Sequence, residues 1–269
     1  PDHGVPIGVK KPSVVTVHDV SFLGHPETHS LQSRRHYAEA IKSLRRADQV
    51  IAVSAHVRAL LLDRGLADSE RITVVPEASG LRHDVPMRDG LWPAPYAVAV
   101  GTIQPRKNIE IASLAFGDSK FSSYGTLLVI GAVGYRGSEI VRSVRAGNNA
   151  DRVRFVGRVS DAVLHGLVAN AEFLLAASLD EGFGLPALEA MSLGVPVVAS
   201  TGGALQELVG DAGLLVDPMD PESIRAAIDK LAEDAQLRDE LRQRGLLRAS
   251  RYTWSRTARE TLAVYEMVT

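Results

Sequence analysis

Short apolar runs rich in valine and isoleucine recur along the chain, separated by longer stretches whose apolar residues return every three or four positions. The short runs predict strands at Ser13–Val17, Gln49–Val53, Ile72–Val75, Ala97–Val100, Leu127–Ile130, Val153–Val156, Phe173–Ala176, Val197–Ala199 and Gly213–Val216. They are continuous rather than alternating, the pattern of parallel strands covered on both faces. The periodic stretches predict helices over Leu31–Arg46, Ala55–Arg64, Asn108–Phe116, Ser138–Arg145, Ser160–Asn170, Pro186–Ser192 and Pro221–Glu233. Ser54 is placed to cap the second of these and Gly65 to stop it, while Pro186 and Pro221 suit first helical positions. The alternation predicts an α/β fold of doubly wound parallel sheets. Glu77 to Pro95 has no period and holds Gly80, Pro86, Gly90, Pro93 and Pro95, so it reads as a linker between units of about three and about six strands.

Composition narrows the function classes. The 269 residues correspond to roughly 1.8 domains at the usual size. Lys and Arg number 30 against 32 Asp and Glu, a net charge of −2, which argues against a nucleic-acid-binding surface. Aromatic residues make up 5%, too few for a stacking platform. The absence of cysteine removes disulfides, thiol nucleophiles and thiolate metal sites, and fits a reducing compartment. No apolar run approaches the about 18 residues of a membrane span.

Three segments could carry chemistry. Leu179 to Ala190 follows a strand, turns at Gly182 and Gly184, and opens a helix near Pro186. The amides of Gly182, Phe183, Gly184 and Leu185 then crown a positive helix end, with Glu181 on the loop and Glu189 one turn into the helix. This suits a polyhydroxylated anion, and it equally suits a glycine turn flanked by solvated glutamates. Val100 to Asn108 also joins strand to helix, and Arg106 with Lys107 there could neutralise a diphosphate or form an ordinary basic turn. His18 and Asp19 follow the first strand, where they could serve a substrate or cap a turn. Gly131–Gly137 is a loop near the same cleft and lacks the dinucleotide-binding glycine pattern, while Thr201-Gly202-Gly203 adds a third loop with free backbone amides. There is no D-x-D pair, H-E-x-x-H, Walker A or G-x-S-x-G, and His25, His29 and His36 lack metal-ligand spacing, so no metal is expected.

Taken in order, these segments resemble the retaining glycosyltransferases of family 4, which have the GT-B fold of two Rossmann-like domains facing a cleft. The resemblance runs from about Ser13 to the C-terminus and rests most on Glu181 and Glu189, separated by seven residues, with Ala190 to Ser200 after them and Gly202, Gly203 and Glu207 beyond. It implies a partial N-terminal acceptor domain over 1–77, a donor-binding domain over 78–250, and a segment over 251–269 that crosses back as a terminal helix. It implies a nucleoside-diphosphate sugar as donor substrate, no cofactor, and a saccharide or glycolipid acceptor. Glu189 would bind the ribose, Glu181 the donor sugar, and Arg106 and Lys107 the diphosphate. Gly101 and Thr102 would lie beside that diphosphate, Gly157, Arg158 and Val159 would line the base, and His18 and Asp19 would face the sugar from the first domain. The reaction expected is front-face transfer of a hexose, mannose from GDP-mannose or glucose from UDP-glucose, in the cytoplasm with peripheral association at the inner face of the membrane.

Two departures from the family pattern stand out. Glu77-Ala78 follows Val75-Pro76 where Asn-Gly is common. The strand and glycine-rich loop that open the family's first domain do not precede Ser13, from which about 100 residues ahead of Pro1 are expected on domain-size grounds. A nucleotide-sugar-binding module without turnover and a sugar-nucleotide epimerase are the competing readings.

Overall fold

The computed structural model describes residues 12–80, 91–93 and 95–268. Strands β1 (Val14–Val17), β2 (Gln49–Ala52) and β3 (Ile72–Val74) form one parallel sheet in the order β1-β2-β3. Strands β4 (Tyr96–Val100), β5 (Thr126–Ile130), β6 (Val153–Gly157), β7 (Leu174–Ala176), β8 (Val197–Ser200) and β9 (Leu214–Val216) form a second, in the order β6-β5-β4-β7-β8-β9. Every pairing is parallel, and β4, β5, β7 and β8 are buried along nearly their whole length, as expected of strands covered on both faces. The order is that of a doubly wound sheet that reverses between β4 and β7.

The helices are α1 (Ser21–Gly24), α2 (Leu31–Lys42), α3 (Ala55–Asp63), α4 (Ile109–Gly117), α5 (Gly137–Ala146) and α6 (Asp161–Ala169). After them come α7 (Leu185–Ser192), α8 (Leu205–Val209), α9 (Pro221–Glu233), α10 (Ala235–Ala249) and α11 (Trp254–Glu266). Alternate residues of the six-stranded sheet face two cores. Ala97, Ala99, Leu127 and Val129 pack with Phe116 of α4, Ile140 of α5 and Ile228 of α9. Val98, Leu128 and Leu174 pack with Leu167 of α6, Leu188 of α7 and Leu208 of α8, and this core continues to Val50 and Val57 of the smaller sheet unit.

The strands lie where the apolar runs predict, with ends moved by a residue or so. The helices differ in three informative ways. The stretch Leu31–Arg46 is not one helix: α2 stops at Lys42, where the Ser43 hydroxyl donates to the Ala40 carbonyl (2.6 Å), and a 3₁₀ turn follows. Helix α7 opens at Leu185, which makes Pro186 its second residue. Proline costs no hydrogen bond there, because the first four amides of a helix lack internal partners. Helix α10 has no counterpart in the sequence reading, because only Leu241, Gly245 and Ala249 are buried along it and no apolar stripe is legible. Within the linker stretch, residues 81–90 and 94 lie outside the described residues.

Helix α11 ties the two sheet units together. The Trp254 indole N–H donates to the Ser79 carbonyl (2.9 Å), the Thr257 hydroxyl donates to the Pro76 carbonyl (2.8 Å), and Val264 is buried with Ile51 and Val75. Val264→Asp places an unpaired carboxylate in that contact, at a cost of about 2 kcal/mol or more. Thermal unfolding should start several degrees lower, with faster proteolysis near residue 254. A wild-type melt and digestion pattern would contradict the contact.

Candidate functional site

The reversal of strand order decides which loops meet. Because β4 and β7 are neighbours, the loop after β4 and the loop after β7 flank one crevice at the carboxyl edge of the sheet. The first loop makes a 3₁₀ turn, Pro105–Lys107, closed by Asn108 in the left-handed region (φ 55°). Asn tolerates that conformation, and here its side-chain amide donates to the carbonyls of Ala177 (3.1 Å) and Pro218 (2.7 Å), bracing the turn. On the second loop Gly184 has φ 101°, which lets the chain enter α7 directly.

Glu181 joins the two loops. Its carboxylate accepts hydrogen bonds from Arg106 Nη1 (2.9 Å), from the Lys107 ammonium and from the Ser178 hydroxyl (2.7 Å). All three charged side chains are at most 13% exposed, so this cluster is not a screened surface pair. Burial alone would push the Glu181 carboxyl up, but Lys107 and Arg106 outweigh it and hold it at about 2. Arg106 also donates to the Asp180 carbonyl (2.6 Å) and lies 3.4 Å from Asp19 of the smaller sheet unit, whose more exposed carboxylate is the weaker partner. One buried carboxylate thus fixes two cations at the mouth of the crevice, beside the amino end of α7.

The loops of the two units touch directly. The Ser54 hydroxyl donates to the Gly182 carbonyl (2.6 Å), and the Ala55 and His56 amides each donate to the Glu207 carboxylate (3.0 Å). His56 Nε2 lies 2.9 Å from Asp180. A Cβ on residue 182 would sit 2.0 Å from the His18 carbonyl oxygen, so only glycine fits there. Between the units lies a cavity of 290 Å³ whose walls include His18, Asp19, His29, Tyr37, Arg106 and Tyr135. His29 sits 3.1 Å from the Ser21 hydroxyl, and burial together with nearby Arg106 lowers its pKa.

Comparison with known proteins agrees with this geometry. The family model described as "Glycosyl transferases group 1" matches residues 93–248, and "Glycosyltransferase Family 4" matches residues 5–78. The chain belongs to the glycosyl transferases group 1. This glycosyltransferase is 32% identical over 269 residues to an O-antigen chain mannosyltransferase B of Escherichia coli, covering 95% of this chain and 70% of that one. It is 32% identical to a D-inositol 3-phosphate glycosyltransferase of Salinispora tropica, covering 81% of this chain and 51% of the relative. A sucrose-phosphate synthase structure from Thermosynechococcus elongatus superposes with a TM-score of 0.76 at 27% identity, covering 94% of this chain and 67% of that one. The fold is therefore GT-B, and the chain takes its place among hexosyltransferase enzymes.

Of the residues singled out in the sequence, Asp19, Arg106, Lys107, Glu181 and Gly182 are brought into one cluster with the His18 backbone. Gly101 lies against the Lys107 side chain, and Thr102 is exposed beside it. Phe183 is buried edge-on to Tyr252 (5.8 Å), which leaves only its backbone toward the crevice. Gly157, Arg158 and Val159 stand apart from the charged cluster, at the end of β6. Leu185 opens α7 and Glu189 lies on it. One reading is corrected in part: two of the three amides of the Thr201–Gly203 loop, those of Thr201 and Gly202, are already engaged. The amides of Thr201, Gly202 and Ala204 donate to Val216, Ser200 and Glu181, so this loop buttresses the Glu181 loop instead. Ser54, His56, Asp180 and Glu77 carry contacts between loops that the sequence reading did not assign. Glu207 was noted only as part of a matching motif, and its grip on α3 is visible only once the two sheets face each other. Among the described residues no helix is long and apolar enough to cross a membrane.

Glu189 supplies a test of the electrostatics. Burial raises its carboxyl to about 7, against the pull of the Gly80 amide. A carboxyl raised in the folded state favours folding while protonated, and that contribution is lost as pH rises from 4.5 through 7. Glu189→Gln, which mimics the protonated group, should be more stable than wild type by up to about 3 kcal/mol at pH 8. The difference should vanish near pH 4 in denaturant titrations, and equal stability at both pH values would contradict the assignment.

Proposed function

We propose that this protein transfers a hexose from a nucleoside-diphosphate sugar to a saccharide or glycolipid acceptor, with retention of configuration and without a metal. The observation that carries the reading is the Arg106–Lys107–Glu181 cluster at the strand-order reversal, whose Arg106 also lines the cavity between the units. Departure of a nucleoside diphosphate builds charge on its terminal phosphate. Arg106, Lys107 and the amino end of α7 stabilise that charge, the work a divalent cation does elsewhere. Glu181 holds both cations in place and accepts from sugar hydroxyls, while Glu189 accepts from the ribose. Gly157, Arg158 and Val159 line the base, and Gly101, Thr102, Gly182, Phe183, Gly184 and Leu185 present backbone to the sugar and phosphates.

The acceptor enters the cavity walled by His18, Asp19, His29 and Tyr37. Its hydroxyl oxygen attacks C1 on the face the diphosphate leaves. The C1–O bond to phosphate breaks, the new C1–O bond forms, and the hydroxyl proton passes to the departing phosphate oxygen. Mannose from GDP-mannose is the favoured donor because the most similar relatives reported above include a mannosyltransferase, with glucose from UDP-glucose as the competing case. The place of action proposed is the inner face of the cytoplasmic membrane. Arg34, Arg35 and Lys42 on α2, with Arg45 and Arg46 just after it, give that side of the smaller unit the charge to meet anionic headgroups.

Incubation with GDP-mannose, UDP-glucose and a panel of saccharide and glycolipid acceptors should yield an α-linked product from one donor. Lys107→Met should lower kcat/KM about 100-fold or more while circular dichroism stays native. Nucleotide-sugar binding without transfer to any acceptor would favour the binding-module reading, and wild-type turnover by Lys107→Met would remove the diphosphate role.

A further inference from the structure

Glu77 begins the connection after β3, and His18 follows β1, so the topology brings both to the carboxyl edge of the three-stranded sheet. His18 Nδ1 lies 2.8 Å from Glu77 Oε1, and the Glu77 side chain is 17% exposed. The His18 backbone is held independently, because its carbonyl oxygen rests against Gly182. The His18 side chain is 64% exposed, so its Nδ1 contact with Glu77 is what orients the ring. His18 is one of the residues lining the cavity, and its Nε2 lies on the far side of the ring from the engaged Nδ1.

We infer that Glu77 is a positioning residue for glycosyl transfer: by accepting the Nδ1 proton it fixes the tautomer of His18 and presents Nε2 as an acceptor for a substrate hydroxyl in the cavity. The inference rests on the transferase reading above. A neutral imidazole whose Nδ1–H is engaged can only accept at Nε2, and protonation turns Nε2 into a donor. The hydrogen bond that Nδ1 donates to Glu77 also raises the His18 pKa against its partial burial, so the useful form is gained as pH rises. The other charged or titratable groups around His18 are Asp19, His29 and Tyr37 on its own unit, Arg106 and Tyr135 across the cavity, and Glu181 beside Gly182. Asn or Gln at position 77 would hold the same proton without the charge, which distinguishes positioning from simple packing.

The test combines nitrogen-detected NMR of His18 with pH–rate profiles of wild type, Glu77→Gln and Glu77→Ala. The NMR reads tautomer and titration without any substrate, so it stands even if no transfer is found. Wild type should show the Nδ1–H tautomer, and the His18 titration should move to lower pH in Glu77→Gln. In the same variant the acid limb of kcat/KM should move by the same shift, while the Glu189 titration, common to both proteins, stays in place. Glu77→Ala should lose about tenfold in kcat/KM, the scale of one hydrogen bond to a charged group. Glu77→Gln keeps the test open if Glu77→Ala fails to fold. An Nε2–H tautomer in wild type, or an acid limb that does not move in Glu77→Gln, would overturn the inference. So would a Glu77→Gln effect of the same size in a His18→Gln background.

Discussion

A single buried carboxylate between two cations organises the site. Removing Arg106 and Lys107 from water is costly, and Glu181 makes that burial tolerable by accepting from both. It accomplishes this from the neighbouring loop, so the same contact locks the loop after β4 to the loop after β7. Within the buried guanidinium, Arg106 Nε has no hydrogen-bond partner among the described residues. On the proposed reading, a diphosphate at this cluster meets charge that is already placed, and little reorganisation is needed as the leaving group forms.

The rest of the structure is arranged around that lock. The strand order puts the two loops side by side, and the parallel direction of every strand puts their ends on one edge. The smaller sheet presents its own carboxyl edge to them, with Asp19 near Arg106, Ser54 on the Gly182 carbonyl and the start of α3 held by Glu207. His56 against Asp180 adds a pair whose imidazole pKa is raised by its hydrogen bond to the carboxylate, so protonation strengthens the contact. Helix α11 closes the arrangement from behind through Trp254, Thr257 and Val264. Each of these contacts bears on how the cavity between the units meets the crevice.

Much of this was legible in the chain. Continuous valine-rich runs predict buried parallel strands, and proline, serine and glycine mark helix ends, because those signals are local. The basic turn at Arg106 and Lys107 and the glycine turn after Glu181 were also legible as local features, and the structure brings them into one cluster. What was not legible depends on pairs distant in sequence. Nothing local says that Arg106 will reach Glu181 across 75 positions, or that Ser54 will meet Gly182 across 128. Glu77 looked like a departure at a turn and stands instead on His18, 59 positions away. The loop at Thr201–Gly203 looked free because its glycines are those of a ligand loop, yet the Thr201 and Gly202 amides donate to Val216 and Ser200, and the Ala204 amide that follows donates to Glu181. Helix α10 was hidden because so little of it is buried.

The central claim is that Glu181 balances the cations that receive the diphosphate. Calorimetric titration of wild type and Glu181→Gln with GDP and UDP, alongside transfer rates, tests it directly. Without the carboxylate the two cations are left uncompensated, so the cognate nucleoside diphosphate should bind about tenfold tighter. Transfer should fall about 100-fold, because the cations and the sugar lose their fixed partner. Opposite signs for binding and turnover are the predicted result. If Glu181→Gln stays folded and loses nucleotide affinity in step with turnover, Glu181 is not the balancing group and the account is wrong.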